Sequence, residues 1–177
     1  MHMHAFWWSL IALGAFAAME GVAWLAHRYV MHGWGWGWHR SHHAPRTGWF
    51  ERNDLYGLIG VVLSVGLFLL AGRLQSPALQ AVAVGITAYG LVYGFVHDGL
   101  VHQRWPFRYM PRSRYLRRLV QAHRLHHAVH TRDGAVSFGF LLAPDPKRLA
   151  ATLRKRREAL RQRPRQRQQQ QEGAATP

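Results

Sequence analysis

The sequence predicts an all-α integral membrane protein, with three to four transmembrane helices carrying a cytoplasmic, histidine-rich di-metal cap. Three observations predict it. Three apolar stretches are each long enough to cross a bilayer, and nearly every basic residue falls on one side of them. Ten of the 13 histidines gather in four clusters on that same side. The 177 residues fit one domain. With no cysteine, thiolate ligands, disulfides and cysteine nucleophiles are excluded, so any metal site is built from imidazole and oxygen.

Ala5 to Ala26 holds 22 residues and one charge, Glu20; Leu55 to Gly72 holds 18 with none, and Ala78 to Val96 holds 19 with none. Roughly 20 apolar residues at about 1.5 Å per residue cross a hydrocarbon core about 30 Å thick. Buried helices of a soluble protein would need amphipathic partners that so short a chain lacks. The first stretch has no basic flank in front of it, so it reads as a span and not as a cleaved signal peptide. Residues 1–146 are expected to form the membrane domain, and 147–177 a basic Arg/Gln-rich tail.

Orientation follows from the basic residues. Arg28, Arg40, Arg46 and Arg52 follow the first span, 18 more follow the third, and Arg73 alone lies in the turn between the second and third. The positive-inside rule puts the N-terminus outside, with the histidine clusters and the C-terminus in the cytoplasm of an inner-membrane protein. The second and third spans form a hairpin turned by Gly72 and Pro77.

The first span releases His27 to His32 at the membrane surface. Trp34, Trp36 and Trp38 suit an interfacial belt, and Gly33, Gly35 and Gly37 argue against a regular helix there. Asn53-Asp54 is expected to cap the second span. After the third span, Pro106 and Pro111 make an irregular surface segment. A helix is expected from about Ser113 to His130. Ala135 to Leu142 is apolar but too short to span; it packs on the bundle or dips into the interface, and a short fourth membrane segment is its other reading. The arginine-rich tail is expected to meet anionic lipid in preference to nucleic acid, at about 1 kcal/mol per basic residue.

The four clusters are His27-x4-His32, His39-x2-His42-His43, His97-x4-His102 and His123-x2-His126-His127. Positions i, i+3 and i+4 share one helical face, so each HxxHH can aim three imidazoles inward. A five-residue step turns about 140° on an ideal helix, so His27 and His32 cannot share a face in regular helix, nor can His97 and His102. Gly33 and Gly99 suggest that each helix ends or loosens there. One first-row metal takes at most about six ligands, so ten imidazoles imply two ions. Imidazole suits iron, copper, zinc and nickel alike.

The clusters resemble the histidine boxes of the membrane fatty acid hydroxylase/sterol desaturase superfamily. The strings HRYVMHGWGWGWHRSHH, NDLYG, HDGLVHQRWPFRY, HRLHHAV and GAVSFGFL are similar to those of the bacterial β-carotene hydroxylase family, over about Glu20 to Pro144. The resemblance implies a non-haem di-iron monooxygenase that hydroxylates C3 of β-ionone rings. β-Carotene would pass through β-cryptoxanthin to zeaxanthin, with O2 as co-substrate and electrons from a ferredoxin-like donor. It carries the ligand role onto His27, His32, His39, His42, His43, His97, His102, His123, His126 and His127. The chemistry is coherent, because an unactivated C–H bond has no acidic proton for a general base to remove, and a cofactor must do that work. A hydrocarbon substrate enters laterally from the bilayer.

Other lipid oxygenases, acting on sterols or fatty acyl chains, would share the boxes and topology. A non-enzymatic metal transporter would need ligands through the membrane depth, which the second and third spans lack. Glu20, seven residues before His27, is expected to accept an Nδ1–H bond from a ligand histidine, since an intramembrane carboxylate needs a partner. Asp98 and Asp133 are candidates for the same supporting role, and Asp98 is a candidate direct ligand.

Overall fold

The computed structural model describes residues 2–106 and 108–174, and every regular element among them is helical. Helix α1 (His2–Leu25) continues without a break into a π-helical segment, Ala26–Trp34. One turn of helix, α2 (Trp36–His39), follows, then α3 (Asp54–Arg73) and α4 (Pro77–Gly94). Helix α4 also continues as a π-helix, Phe95–Val101. Helices α5 (Arg114–His127) and α6 (Pro146–Ala174) complete the chain.

Three helices, Met3–Trp34, Asp54–Arg73 and Pro77–Val101, are long and apolar enough to cross a membrane. Their outer faces stay apolar and exposed, as at Leu58, Val62, Leu63 and Leu69, which is the inverse of a soluble helix. They pack through small residues. Gly85 lies so close to α1 that a Cβ there would strike the Ala12 carbonyl oxygen, and Ala81 and Ala83 are buried beside it. Without a hydrophobic driving force between helices in lipid, such close backbone approach is what holds them. Ser64 and Thr87 add a hydroxyl–hydroxyl bond of 3.0 Å between α3 and α4.

The α3–α4 turn uses Gln75 in the left-handed region (φ 48), and not Gly72, as its special residue. Ser76 then caps α4 by accepting from the Leu79 N–H, with Pro77 in the first turn.

Helix α5 lies across the ends of the spans. Its Ser113 accepts from the Leu116 N–H, capping it as expected of serine at a helix start. One face buries Val120 against Leu100 and Val101; another buries Ala122 against Val136, Leu149 and Leu153. Leu149 and Leu153 thus fix the start of the basic C-terminal segment to the body of the protein. Residues 135–142 form no helix, so no fourth membrane helix arises there. They run as irregular backbone with Ala135, Val136, Phe138 and Phe140 buried.

Candidate metal centre

The five-residue spacing of two histidine pairs is resolved by the helices widening. In the π-helical segments each amide bonds five residues back, so residues i and i+5 stand one turn apart and face the same way. The His102 N–H donates to the His97 carbonyl at 3.0 Å, and Gly35 N–H to Val30 O at 2.9 Å. Of the two outcomes that Gly33 and Gly99 suggest, an ending or a loosening, the helices loosen and carry the second histidine of each pair. The first π-segment breaks at Gly33 (φ −108, ψ −124), just after His32 is placed.

The Gly-Trp repeat is also more ordered than its glycines predict. The Tyr56 hydroxyl, from α3, donates to Gly35 O at 2.8 Å, and a side chain at Gly35 would collide with that tyrosine. Short bonds spaced three residues apart continue the α2 turn to Ala44 and bring His39, His42 and His43 inward. Trp34 is exposed, whereas Trp36 packs against His32, His39 and His43. On α5, His123, His126 and His127 share one face.

All ten box histidines converge. Potential ligand nitrogens of His27, His32, His39 and His126 lie within 4.8 Å of one another, as do those of His42, His97, His102 and His123. His43 joins the first set, its Nε2 standing 3.2 Å from His39 Nε2; His127 joins the second, 2.9 Å from His123 Nε2. The first-box and third-box pairs thus serve different groups of five, while each HxxHH divides between them.

In seven of the ten, Nδ1–H has an identified acceptor. His27 donates to Phe138 O at 2.9 Å, His32 to Arg132 O at 2.8 Å, His43 to Val129 O at 2.8 Å and His126 to Val136 O at 3.0 Å. His39 donates to Asn53 Oδ1 at 2.7 Å, His42 to Glu51 Oε2 at 3.0 Å and His97 to Asp98 Oδ1 at 2.9 Å. In a neutral imidazole, a proton on Nδ1 leaves Nε2 as a lone pair. Those lone pairs converge: Nε2···Nε2 separations are 3.2 Å for His27–His39, 3.1 Å for His32–His126 and 3.0 Å for His42–His97, and His102 and His123 bring their Nε2 atoms to 3.3 Å.

Facing lone pairs repel unless a cation lies between them. Nitrogens bound at about 2.1 Å to one ion stand about 3.0 Å apart at a right angle and about 3.4 Å apart at a tetrahedral one. The separations of 3.0 to 3.3 Å fall in that interval and His123–His127, at 2.9 Å, lies at its lower edge, so the donor set fits two metal ions. Burial also holds the imidazoles neutral: it lowers His39, His123, His126 and His127, and pushes His43 down to about 4. A cavity of about 450 Å³ reaches His42, His43, His102 and His127 from the polar side, beside Arg46 and Arg124.

Three supporting residues differ from the sequence reading. Glu20 accepts from no ligand imidazole. Its carboxylate takes the Tyr89 hydroxyl at 2.8 Å and the N–H groups of Phe140, Leu141 and Leu142 at 2.8 to 3.0 Å. The seven-residue step from His27 shares a face only in regular helix, and the loop at 140–142 reaches the carboxylate first. Asp133 is exposed and pairs at 3.8 Å with Arg132; the neighbouring Arg132 carbonyl is what meets His32. Asn53 makes no side-chain cap on α3, because its amide is turned toward His39. Asp98 does sit behind a ligand candidate, His97.

Glu51 and the carbonyls of Val129, Val136 and Phe138 were not anticipated. A backbone carbonyl carries no residue signature, and Glu51 precedes a span much as any interfacial carboxylate would. His130 stays outside both groups, with its Nδ1 donating to His43 O at 2.7 Å.

The fatty acid hydroxylase family model matches residues 12–144. Over 153 residues the chain is 58% identical to a protein named β-carotene hydroxylase from Pantoea ananas, covering 86% of this chain and 87% of that one. A protein of the same name from a Paracoccus strain is 53% identical, over 82% of this chain and 90% of the relative. The β-carotene 3-hydroxylase 2 of Arabidopsis thaliana is 40% identical over 76% of this chain, which spans 45% of that longer protein. No solved structure matches the chain.

Proposed function

The chain belongs to the fatty acid hydroxylase family, and from that premise we propose that it hydroxylates C3 of the β-ionone rings of β-carotene, giving β-cryptoxanthin and then zeaxanthin. The observation that carries this reading is the pair of five-histidine groups whose Nε2 atoms converge, neighbouring ones standing 2.9 to 3.3 Å apart. The names and identity of its relatives supply the substrate class.

Each group would hold one iron ion: His27, His32, His39, His43 and His126 the first, His42, His97, His102, His123 and His127 the second. Bound iron supplies the dioxygen activation that an unactivated C–H bond requires. One oxygen atom enters the ring and the other leaves as water, which consumes two electrons and two protons per hydroxylation; a ferredoxin-like donor provides the electrons.

The protein's own part is to fix and shield. Nδ1–H bonds to Asn53, Glu51, Asp98 and four carbonyls hold the rings and their tautomer. Phe140 packs on His27, His97 and His123, and Tyr93 on His97 and Phe140, so the centre has an apolar floor on the side of the spans. A ring arriving from the bilayer meets that floor, while water and electrons arrive through the cavity beside Arg46. Such an enzyme sits in the inner membrane with this cap in the cytoplasm, where the basic face of α6 meets anionic lipid.

Expression in a bacterial host that accumulates β-carotene tests the proposal, with a His126→Ala version run beside it. Chromatography should show cryptoxanthin and zeaxanthin from the parent alone. Unchanged β-carotene from an inserted, iron-loaded parent would exclude ring hydroxylation and point to a sterol or fatty acyl substrate.

A further inference from the structure

The two histidine groups are supported by different chemistry. Behind the first stand neutral dipoles. Four of its histidines donate to carbonyls of one irregular stretch, those of Val129, Arg132, Val136 and Phe138, and His39 donates to the Asn53 amide oxygen. Behind the second stand carboxylates, Glu51 on His42 and Asp98 on His97. Asp54 lies beyond them. Arg104 bridges Asp54 at 2.6 Å and Asp98 at 3.7 Å, so it offsets one of the three charges. Arg46 and Arg124 line the cavity beside this group, so what sets it apart is direct contact: Glu51 and Asp98 each accept from the Nδ1–H of one of its histidines. In the first group Arg28 and Asp133 oppose each other at His32, and the Glu20 carboxylate is taken up by the amides of 140–142.

We propose that the two sites are inequivalent, the carboxylate-backed group of His42, His97, His102, His123 and His127 holding a divalent ion more tightly than the carbonyl-backed group. This rests on the reading that the ten histidines hold two ions. A carboxylate accepting from Nδ1–H makes the imidazole a stronger donor and adds coulombic attraction for the ion; a carbonyl or amide oxygen does the first weakly and the second hardly at all. The mechanical support differs in the same direction. The carbonyl stretch is free of regular structure and is tied down by side chains from elsewhere: the Glu20 carboxylate accepts from the amides of 140–142, and the Arg156 guanidinium donates to Gly134 O and Ala135 O. Of the supporting carboxylates, Asp98 stands in the helical end of α4, and Glu51 in a turn where Asp54 accepts from the Glu51 N–H and pairs with Arg104.

The test uses the full chain purified in detergent, its iron counted by elemental analysis and then withdrawn with increasing concentrations of a chelator. The parent should begin with two ions and lose them in two steps separated by about 10- to 100-fold in chelator. Glu51→Gln keeps an acceptor oxygen on His42 and removes the charge; it should move the later step toward the earlier and leave the earlier in place. Asn53→Asp should move the earlier step later. Two ions leaving the parent together would overturn the inference, as would Glu51→Gln shifting the earlier step. A parent that never holds more than one ion would overturn the two-metal reading itself.

Discussion

His42 and His97 face each other with their Nε2 atoms 3.0 Å apart, while the Nδ1–H of each donates to its own carboxylate, Glu51 and Asp98. Two lone pairs at that distance are an unfavourable contact that an intervening cation turns into a favourable one. The pattern recurs at His32 and His126, anchored on Arg132 O and Val136 O with Nε2 atoms 3.1 Å apart. The anchoring partners, as much as the histidines, thus define the site.

Asn53 is the anchor whose removal is easiest to read. Asn53→Ala leaves the His39 Nδ1–H buried without a partner, which costs about 1–3 kcal/mol. We expect a lower melting temperature and loss of metal from the carbonyl-backed group, both measured on detergent-purified protein. Metal content equal to the parent's would mean that His39 is oriented by something else.

Glu20 holds the stretch that carries the carbonyls. In Glu20→Gln one acceptor oxygen becomes an amide donor pointed at backbone N–H groups, a loss of about 1–3 kcal/mol. Hydrogen exchange at residues 140–142 should accelerate, with metal content falling as His27 and His126 lose their acceptors at Phe138 and Val136. Unchanged exchange there would contradict this role. Gly139→Ala should have a similar effect, since its added Cβ would lie 2.9 Å from Glu20 Oε1 and 2.7 Å from Leu142 O.

Ser137 lies between those two carbonyls in the left-handed region, at φ 63. Non-glycine residues held there cost about 1–3 kcal/mol and persist where the surroundings demand it. Ser137→Gly should therefore retain metal and melt no lower than the parent, and Ser137→Val should do the opposite. Equal behaviour of the two variants would show that the backbone is relaxed at this position.

The histidine clusters, the three spans and the cap helix were legible because each rests on periodic or compositional signals in side chains. At His27–His32 and His97–His102 the glycines left open whether the helices end or loosen, since a five-residue step reads as two different faces until the hydrogen bonding changes register. The carbonyl anchors were hidden for a different reason: any residue has a carbonyl, and only folding aims it. Asn53 has the composition of a cap and lies at a helix start, yet a buried imidazole N–H outweighs a helix N–H that water can reach. Glu20 was recognisable as an intramembrane carboxylate needing a partner, but that partner is backbone 120 residues away.

Acid should destabilise the metal-free protein through its buried imidazoles. His43 has its pKa lowered from 6.5 to about 4 by burial, so as pH falls the unfolded chain takes up this proton first. Stability fully present above 6.5 is lost progressively down to about 4, and the other lowered cap histidines act in the same direction. Chelator-stripped protein should melt at falling temperatures across that window, while metal-loaded protein resists until its ligands protonate. A melting temperature of the stripped protein that is flat from pH 7 to 4 would show the histidines to be solvated.

The central claim is that ten imidazoles hold two metal ions through Nε2. X-ray absorption at the iron edge, combined with iron counted per chain on the purified protein, tests it most directly. About two ions per chain are expected, with nearest neighbours dominated by nitrogen and the outer scattering of imidazole rings; His102→Ala should lower the count while the fold persists. A protein that hydroxylates its substrate with one ion or none, or whose ligand shell lacks imidazole, would contradict it.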